Sequence, residues 1–193
     1  MKTFRKSSLC ITFLLAAVLL GVAPTRAQAA APATPTHHDG QHDFDFNIGT
    51  WHTHIKTLQH PLSGSQAWTQ MDGTVTVRKI WGAKASLEEI EANGPNGHFE
   101  GATLFLYNPA SRQWSQTFVN SSTGVLEPAA IGEFKDGRGE LINQDTYQGR
   151  TILVRTVWSD ITPDSHRFEQ SFSDDNGKTW EPNFVAHLTR IKS

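Results

Sequence analysis

The chain has 193 residues, a formal net charge of −2 and a single cysteine. Lys2, Arg5 and Lys6 precede an apolar run from Leu9 to Val22, and Ala27-Gln28-Ala29 follows as a small-x-small cleavage site, the order of a secretory signal peptide. Removing residues 1–29 leaves 164 residues and discards four basic side chains, so 13 basic residues face 19 acidic ones. Such a balance, with no Lys/Arg cluster, argues against nucleic acid as a partner. No second apolar run approaches the roughly 20 residues of a bilayer span, so no membrane span is expected in the mature chain. Cys10 leaves with the signal, which removes disulfides, thiolate nucleophiles and cysteine-based metal sites. A periplasmic or secreted location is the expectation.

Residues 30–42, Pro/Ala-rich and aperiodic, read as a disordered leader. From there residues 43–193 read as one domain. Segments rich in Thr, Val, Ile, Phe and Trp recur near 43–58, 66–80, 84–92, 99–108, 113–120, 130–136, 139–147, 150–159, 165–174 and 179–192. Turn signals separate them, among them Pro61-Leu62-Ser63-Gly64, Asp136-Gly137, Gln148-Gly149 and Asn176-Gly177. Short strands at this spacing indicate an antiparallel all-β sandwich or barrel. Leu, Ile, Val and Phe make up only about 21% of the mature chain, close to the range of disordered proteins. All six Trp and nine of the eleven Phe lie in it, however, and large rings cover much area with few residues.

Alternation along a strand assigns its faces. Trp114, Gln116 and Phe118 share one side of their segment, as do His166, Phe168 and Gln170 of theirs. Aromatics mixed with amides suit a cavity holding a polar or partly apolar ligand, because a buried amide left unpaired costs about 1–3 kcal/mol. The same amides can equally bond neighbouring backbone or face solvent. These six residues, with His54, are the ligand-binding candidates, and a small apolar or aromatic molecule is the expected partner. Trp114 would report binding through its fluorescence.

The first segment contains Gly49-Thr50-Trp51, and Arg190 stands near the chain's end. Gly-x-Trp on a first strand resembles the calycin signature of lipocalins and their relatives, which implies that Trp51 closes the barrel floor with Arg190 lying across it. Such a cation–π contact is worth roughly 0.5–2 kcal/mol depending on burial. Further segments carry the likeness along the chain: Asp43-Phe44-Asp45-Phe46, Val77-Arg78-Lys79, Leu106-Tyr107-Asn108-Pro109, Ile131-Gly132-Glu133-Phe134, Ser159-Asp160-Ile161-Thr162-Pro163-Asp164-Ser165 and Arg167-Phe168-Glu169-Gln170. They resemble a bacterial lipocalin-like family, often exported, that is catalogued as a domain of unknown function. The resemblance spans nearly all of residues 43–192. It implies an antiparallel up-and-down, calycin-like β-barrel of about ten strands and carries no activity with it.

Other motifs are local. Ser173 to Trp180 follows the Asp-box pattern Ser-x-Asp-x-Gly-x-Thr-Trp of sialidase propellers. A propeller repeats its blades, so a single copy reads as a hairpin lock. His37, His38 and His42 with Asp39, Asp43 and Asp45, or His52 and His54 with His187, offer imidazoles without the spacing of a built metal site. No nucleophile elbow or phosphate loop appears, no catalytic residue is assigned, and no motif implies a cofactor. Glu88, Glu89, Glu91 and Glu169 are available carboxylates, but alternation sends some of them to solvent in any register. The expected function is small-molecule binding in a barrel cavity. Two alternatives stand beside it: an isomerase, hydratase or lyase using His166 or His54 as general base, and a periplasmic metal-handling protein.

Overall fold

The structure, a computed structural model, describes residues 39–192. The expected signal peptide, most of the leader, and His37 and His38 lie outside the described residues. Ten strands form one closed antiparallel barrel in which each pairs with its sequence neighbours and the last pairs with the first. They are β1 (Gly49–Leu58), β2 (Trp68–Ile80), β3 (Ala85–Gly94), β4 (Gly97–Asn108) and β5 (Gln113–Asn120), then β6 (Ala130–Lys135), β7 (Arg138–Tyr147), β8 (Arg150–Ser159), β9 (Ser165–Ser173) and β10 (Glu181–Arg190). Closure removes both sheet edges, which an open sheet of this size would expose. Among the described residues no helix is long and apolar enough to cross a membrane.

Most strands bury alternate residues over part of their length. On β1, Trp51, Thr53 and Ile55 point inward while His52 and Lys56 are exposed. On β4, Thr103, Phe105 and Tyr107 are buried whereas Leu104 and Leu106 face outward. The wall is thinnest between β5 and β6, which share only the pairs Trp114–Gly132, Ser115–Ile131 and Gln116–Ala130. Beyond Gln116 the two strands part around the 121–129 connection, held by a bridge from Val119 to Leu126 and by Glu127 N–H donating to the Phe118 carbonyl at 2.9 Å.

The up-and-down order puts the connections after β2, β4, β6 and β8 at one end with residues 39–48. That end is the floor, and there the structure departs from the sequence expectation. Residues 43–48 do not extend the first strand but turn, with a 3-10 segment at Asp45–Asn47. The turn drops Phe44 among Phe105, Trp114, Phe134 and Trp158, with ring centroids 4.7, 5.0, 4.8 and 5.6 Å away. Aromatic burial outweighs the β-pattern of this stretch. Residues 39–42, expected in the leader, also pack here. Trp114 Nε1 donates to the Gly40 carbonyl at 2.8 Å, and the Tyr107 hydroxyl donates to that of Asp39. Buried indole and phenol groups need such acceptors, and backbone from outside the barrel supplies them.

Arg190 completes the floor. Its guanidinium lies 3.9 Å from the Trp51 ring centroid. It donates to the carbonyls of Pro163 at 2.7 Å, Ile48 at 2.8 Å and Phe46 at 2.9 Å. Gly49 is required beside it: its φ is +132°, and a Cβ there would stand 2.4 Å from Arg190 Nη1. Pro163 is presented by the turn between β8 and β9, where Thr162 Oγ1 accepts from the N–H groups of Asp164 and Ser165 at 3.2 and 2.9 Å. Trp51 Nε1 in turn donates to the Asn47 carbonyl at 2.8 Å. At the opposite end, the β9–β10 connection is tied by Asp175, whose carboxylate accepts from Lys178 N–H, Thr179 N–H and the Thr179 hydroxyl.

Candidate functional site

The lower half of the barrel is solid. Phe44, Phe105, Tyr107, Trp114, Ala130, Leu141 and Trp158 fill it as one buried cluster. The upper half is not. A cavity of about 220 Å³ lies there, bounded by Val75, Ile90, Ala186 and Leu188 on the aliphatic side and by Phe99, Phe118, Trp158, Phe168 and Phe184 on the aromatic side. Its polar groups come from Thr53, Glu88, Thr103, Gln116, Gln170 and Glu127. A mostly apolar wall with a few convergent polar groups is the usual form of a small-molecule site.

Glu88 is the most consequential of these. It is 8% exposed and sits on β3 opposite Thr103 of β4. Asn47 Nδ2 donates to Oε2 at 3.1 Å and the Thr103 hydroxyl to Oε1 at 3.2 Å. Burial pushes its carboxyl above the usual range, and the two hydrogen bonds only partly offset that. No basic side chain lines the cavity. Glu127, exposed on the 121–129 connection, is raised as well by partial burial and by the charge of Asp145. Gln116 Oε1 is held by long bonds from the Thr156 hydroxyl and Trp158 Nε1, both at 3.4 Å. The Thr53 hydroxyl, fully buried, has no protein partner.

The structure divides the sequence-chosen residues by depth. Gln116, Phe118, Phe168 and Gln170 line the cavity. Trp114 and His166 share their strands' inward faces but stand below it, on the floor side, where neither reaches the cavity surface. His166 is 2% exposed, edge-on to Trp51 at 4.4 Å and to Phe46 at 5.1 Å. Neither of its ring nitrogens has a hydrogen-bond partner. Burial, with help from the Arg190 charge, pulls its pKa down to about 3, so it is a neutral packing group.

His54 points outward, as the parity of Trp51 requires. Its Nδ1 lies 2.9 Å from Asp72 Oδ1, and His187 is its partner across β10. No histidine therefore stands in the cavity to act as general base. Among the described residues no group of three or more His, Cys, Asp or Glu is placed to hold a metal ion.

Sequence reasoning does not single out Glu88 as a ligand contact, although a signal for it is present. Ile90 and Ala92 share its parity and are buried, so an inward Ile90 carries Glu88 inward with it. Trp158, Phe99 and Phe184 are equally unassigned from the sequence. Phe184 depends on a register shift between Pro182 and Phe184, which sets the inward face of β10 and has no signal in the local pattern.

Solved structures place this architecture. The S-type phycobiliprotein lyase CPES from Guillardia theta superposes with a TM-score of 0.53 at 14% identity, over 78% of this chain and 91% of that one. The fold is a calycin-like barrel. Designed barrels also match more loosely. One is a de novo designed fluorescence-activating β-barrel, with a TM-score of 0.41 and 12% identity over 76% of this chain and 95% of that one. Another is mFAP2b bound to DFHBI, with a TM-score of 0.43 and 9% identity over 79% and 99%. No family model and no curated protein matches the chain.

Proposed function

We propose that this protein binds a small, partly apolar molecule inside the upper half of its barrel. The observation that carries the reading is the cavity itself. A barrel of ten short strands can fill its interior with side chains, as this one does below Trp158, yet leaves about 220 Å³ above it. That volume exceeds the roughly 150 Å³ that accepts benzene and falls short of the roughly 300 Å³ at which drug-sized pockets begin. A substituted single ring or a compact bicycle is the matching size. The N-terminal pattern of basic residues, apolar run and Ala27-Gln28-Ala29 supports export to the periplasm or beyond, so the ligand is one met outside the cytoplasm.

Titration with indole, followed by calorimetry, tests the reading. A saturable heat with a negative heat-capacity change is expected, since apolar surface is buried on binding. Ala186→Phe fills the cavity from β10 and should abolish that heat while the protein still melts cooperatively. Equal binding by the Ala186→Phe variant would place the ligand elsewhere and overturn the reading.

A further inference from the structure

The cavity's polar lining is one-sided. Its two ionisable residues, Glu88 and Glu127, are both acidic, and no Lys, Arg or His shares the surface with them. Glu88 lies deep, between β2, β4 and the Asp45–Asn47 turn. Register places Val77 beside it on β2 and Thr103 on β4, and Asn47 approaches from the turn. None of these groups carries a charge. A carboxyl taken from water into such a place needs a counter-charge: either a proton or a cation from outside.

The cavity offers the acceptors and the room for the second. Each oxygen of Glu88 already accepts from a neutral donor, Asn47 Nδ2 on one and the Thr103 hydroxyl on the other. An ionised carboxylate is acceptor-only, and two donors on two oxygens suit that form. Nearby, the Thr53 hydroxyl is buried in the cavity wall without a protein partner, and Gln116 and Gln170 add amide oxygens. An ammonium has three donors to distribute over such acceptors. Five aromatic rings line the remaining space, and ring faces attract cations.

We propose that the ligand of this cavity is an organic amine, its ammonium paired with Glu88 and its apolar body against the Phe and Trp rings. The proposal rests on the cavity-binding reading above and names the chemical class that site selects. Glu127, exposed on the 121–129 connection beside the thinnest part of the wall, gives a cation its first attraction on entry.

Three probes of closely similar size separate the possibilities: 2-phenylethylamine, 2-phenylethanol and phenylacetate, titrated at pH 7.5 into the unmodified protein. The amine is expected to bind at least about tenfold more tightly than the alcohol, and the carboxylate more weakly than either, a charge-assisted contact being worth one tenfold step or more. Glu88→Gln should remove most of the amine's advantage. Alcohol binding as tight as amine binding, or an unchanged amine affinity in a folded Glu88→Gln protein, would overturn the amine inference and leave the cavity reading standing. Binding of none of the three would overturn both. The comparison among probes needs no variant, so it decides the matter even if Glu88→Gln fails to fold.

Discussion

Two buried titratable side chains give the protein opposite responses to pH. His166, neutral among Phe46, Trp51 and Trp158, has its pKa pulled down to about 3 against about 6.5 in an unfolded chain. Between those values the unfolded state binds the extra proton, so stability is lost as pH falls through that window. From pH 7 to 4.5 the loss is on the order of 2 kcal/mol. His166→Phe keeps the ring contacts and removes the titration. Urea denaturation at the two pH values should then show a smaller acid loss than in the parent protein; an equal loss would contradict the account.

Glu88 works in the other direction. Its folded pKa is raised, so the folded state holds the extra proton, and stability is lost as pH rises from the ordinary carboxylate range through the raised value. Glu88→Gln should therefore be more stable than the parent at pH 8 in the absence of ligand, with the gain shrinking toward pH 4.5. A variant less stable by the same amount at both would show that the carboxylate is already compensated within the fold.

At the scale of the elements, alternation reveals which face of a strand turns inward but not how deep each residue sits. Trp114, Gln116 and Phe118 are one stripe in the sequence, yet the first belongs to the floor and the other two to the cavity. The same split separates His166 from Phe168 and Gln170. Depth is decided by what enters the barrel end from outside, here Gly40 to Phe46, and that stretch looks in the sequence like leader and strand. Turn chemistry was more legible. Asp175 holds its hairpin through the hydrogen bonds that the Asp-box spacing implies, and these keep its carboxyl far below the ordinary range.

The clasp of Arg190 over Trp51 is the element-level device most open to test. It joins the end of β10 to the β8–β9 turn and to the chain entering β1. Arg190→Lys preserves the charge but loses the planar fork. A loss of about 2–4 kcal/mol is expected from denaturant unfolding, from hydrogen bonds to a charged group and a cation–π contact together. A change below about 0.5 kcal/mol would mean that the floor closes without it.

Across the whole molecule, most of the segments from which the barrel is read in the sequence gather at the floor; Arg167 to Gln170, which sends Phe168 and Gln170 to the cavity, is the exception. Asp45 pairs with Lys79 at 2.9 Å, Tyr107 bonds Asp39, and the Ser159–Ser165 turn presents Pro163 to Arg190. Gly132 is held to glycine because a Cβ would lie 1.9 Å from the Glu140 carbonyl of β7. These segments build and close the barrel, which is why the fold could be read from them. The cavity is lined largely by other residues, scattered over eight strands and one connection, and no compact motif announces it. Ligand chemistry is therefore written in three dimensions: a filled floor, an aromatic chamber above it, and one buried carboxyl between.

The most direct test of that division is a methyl-detected NMR titration with 2-phenylethylamine or, for the cavity alone, indole. Saturable shifts are predicted for Val75, Ile90, Ala186 and Leu188, which line the chamber, with Leu141 in the floor unmoved. Shifts confined to the outward-facing Leu104, Leu106, Ile131 and Ile142, or no saturable shift at all, would contradict it.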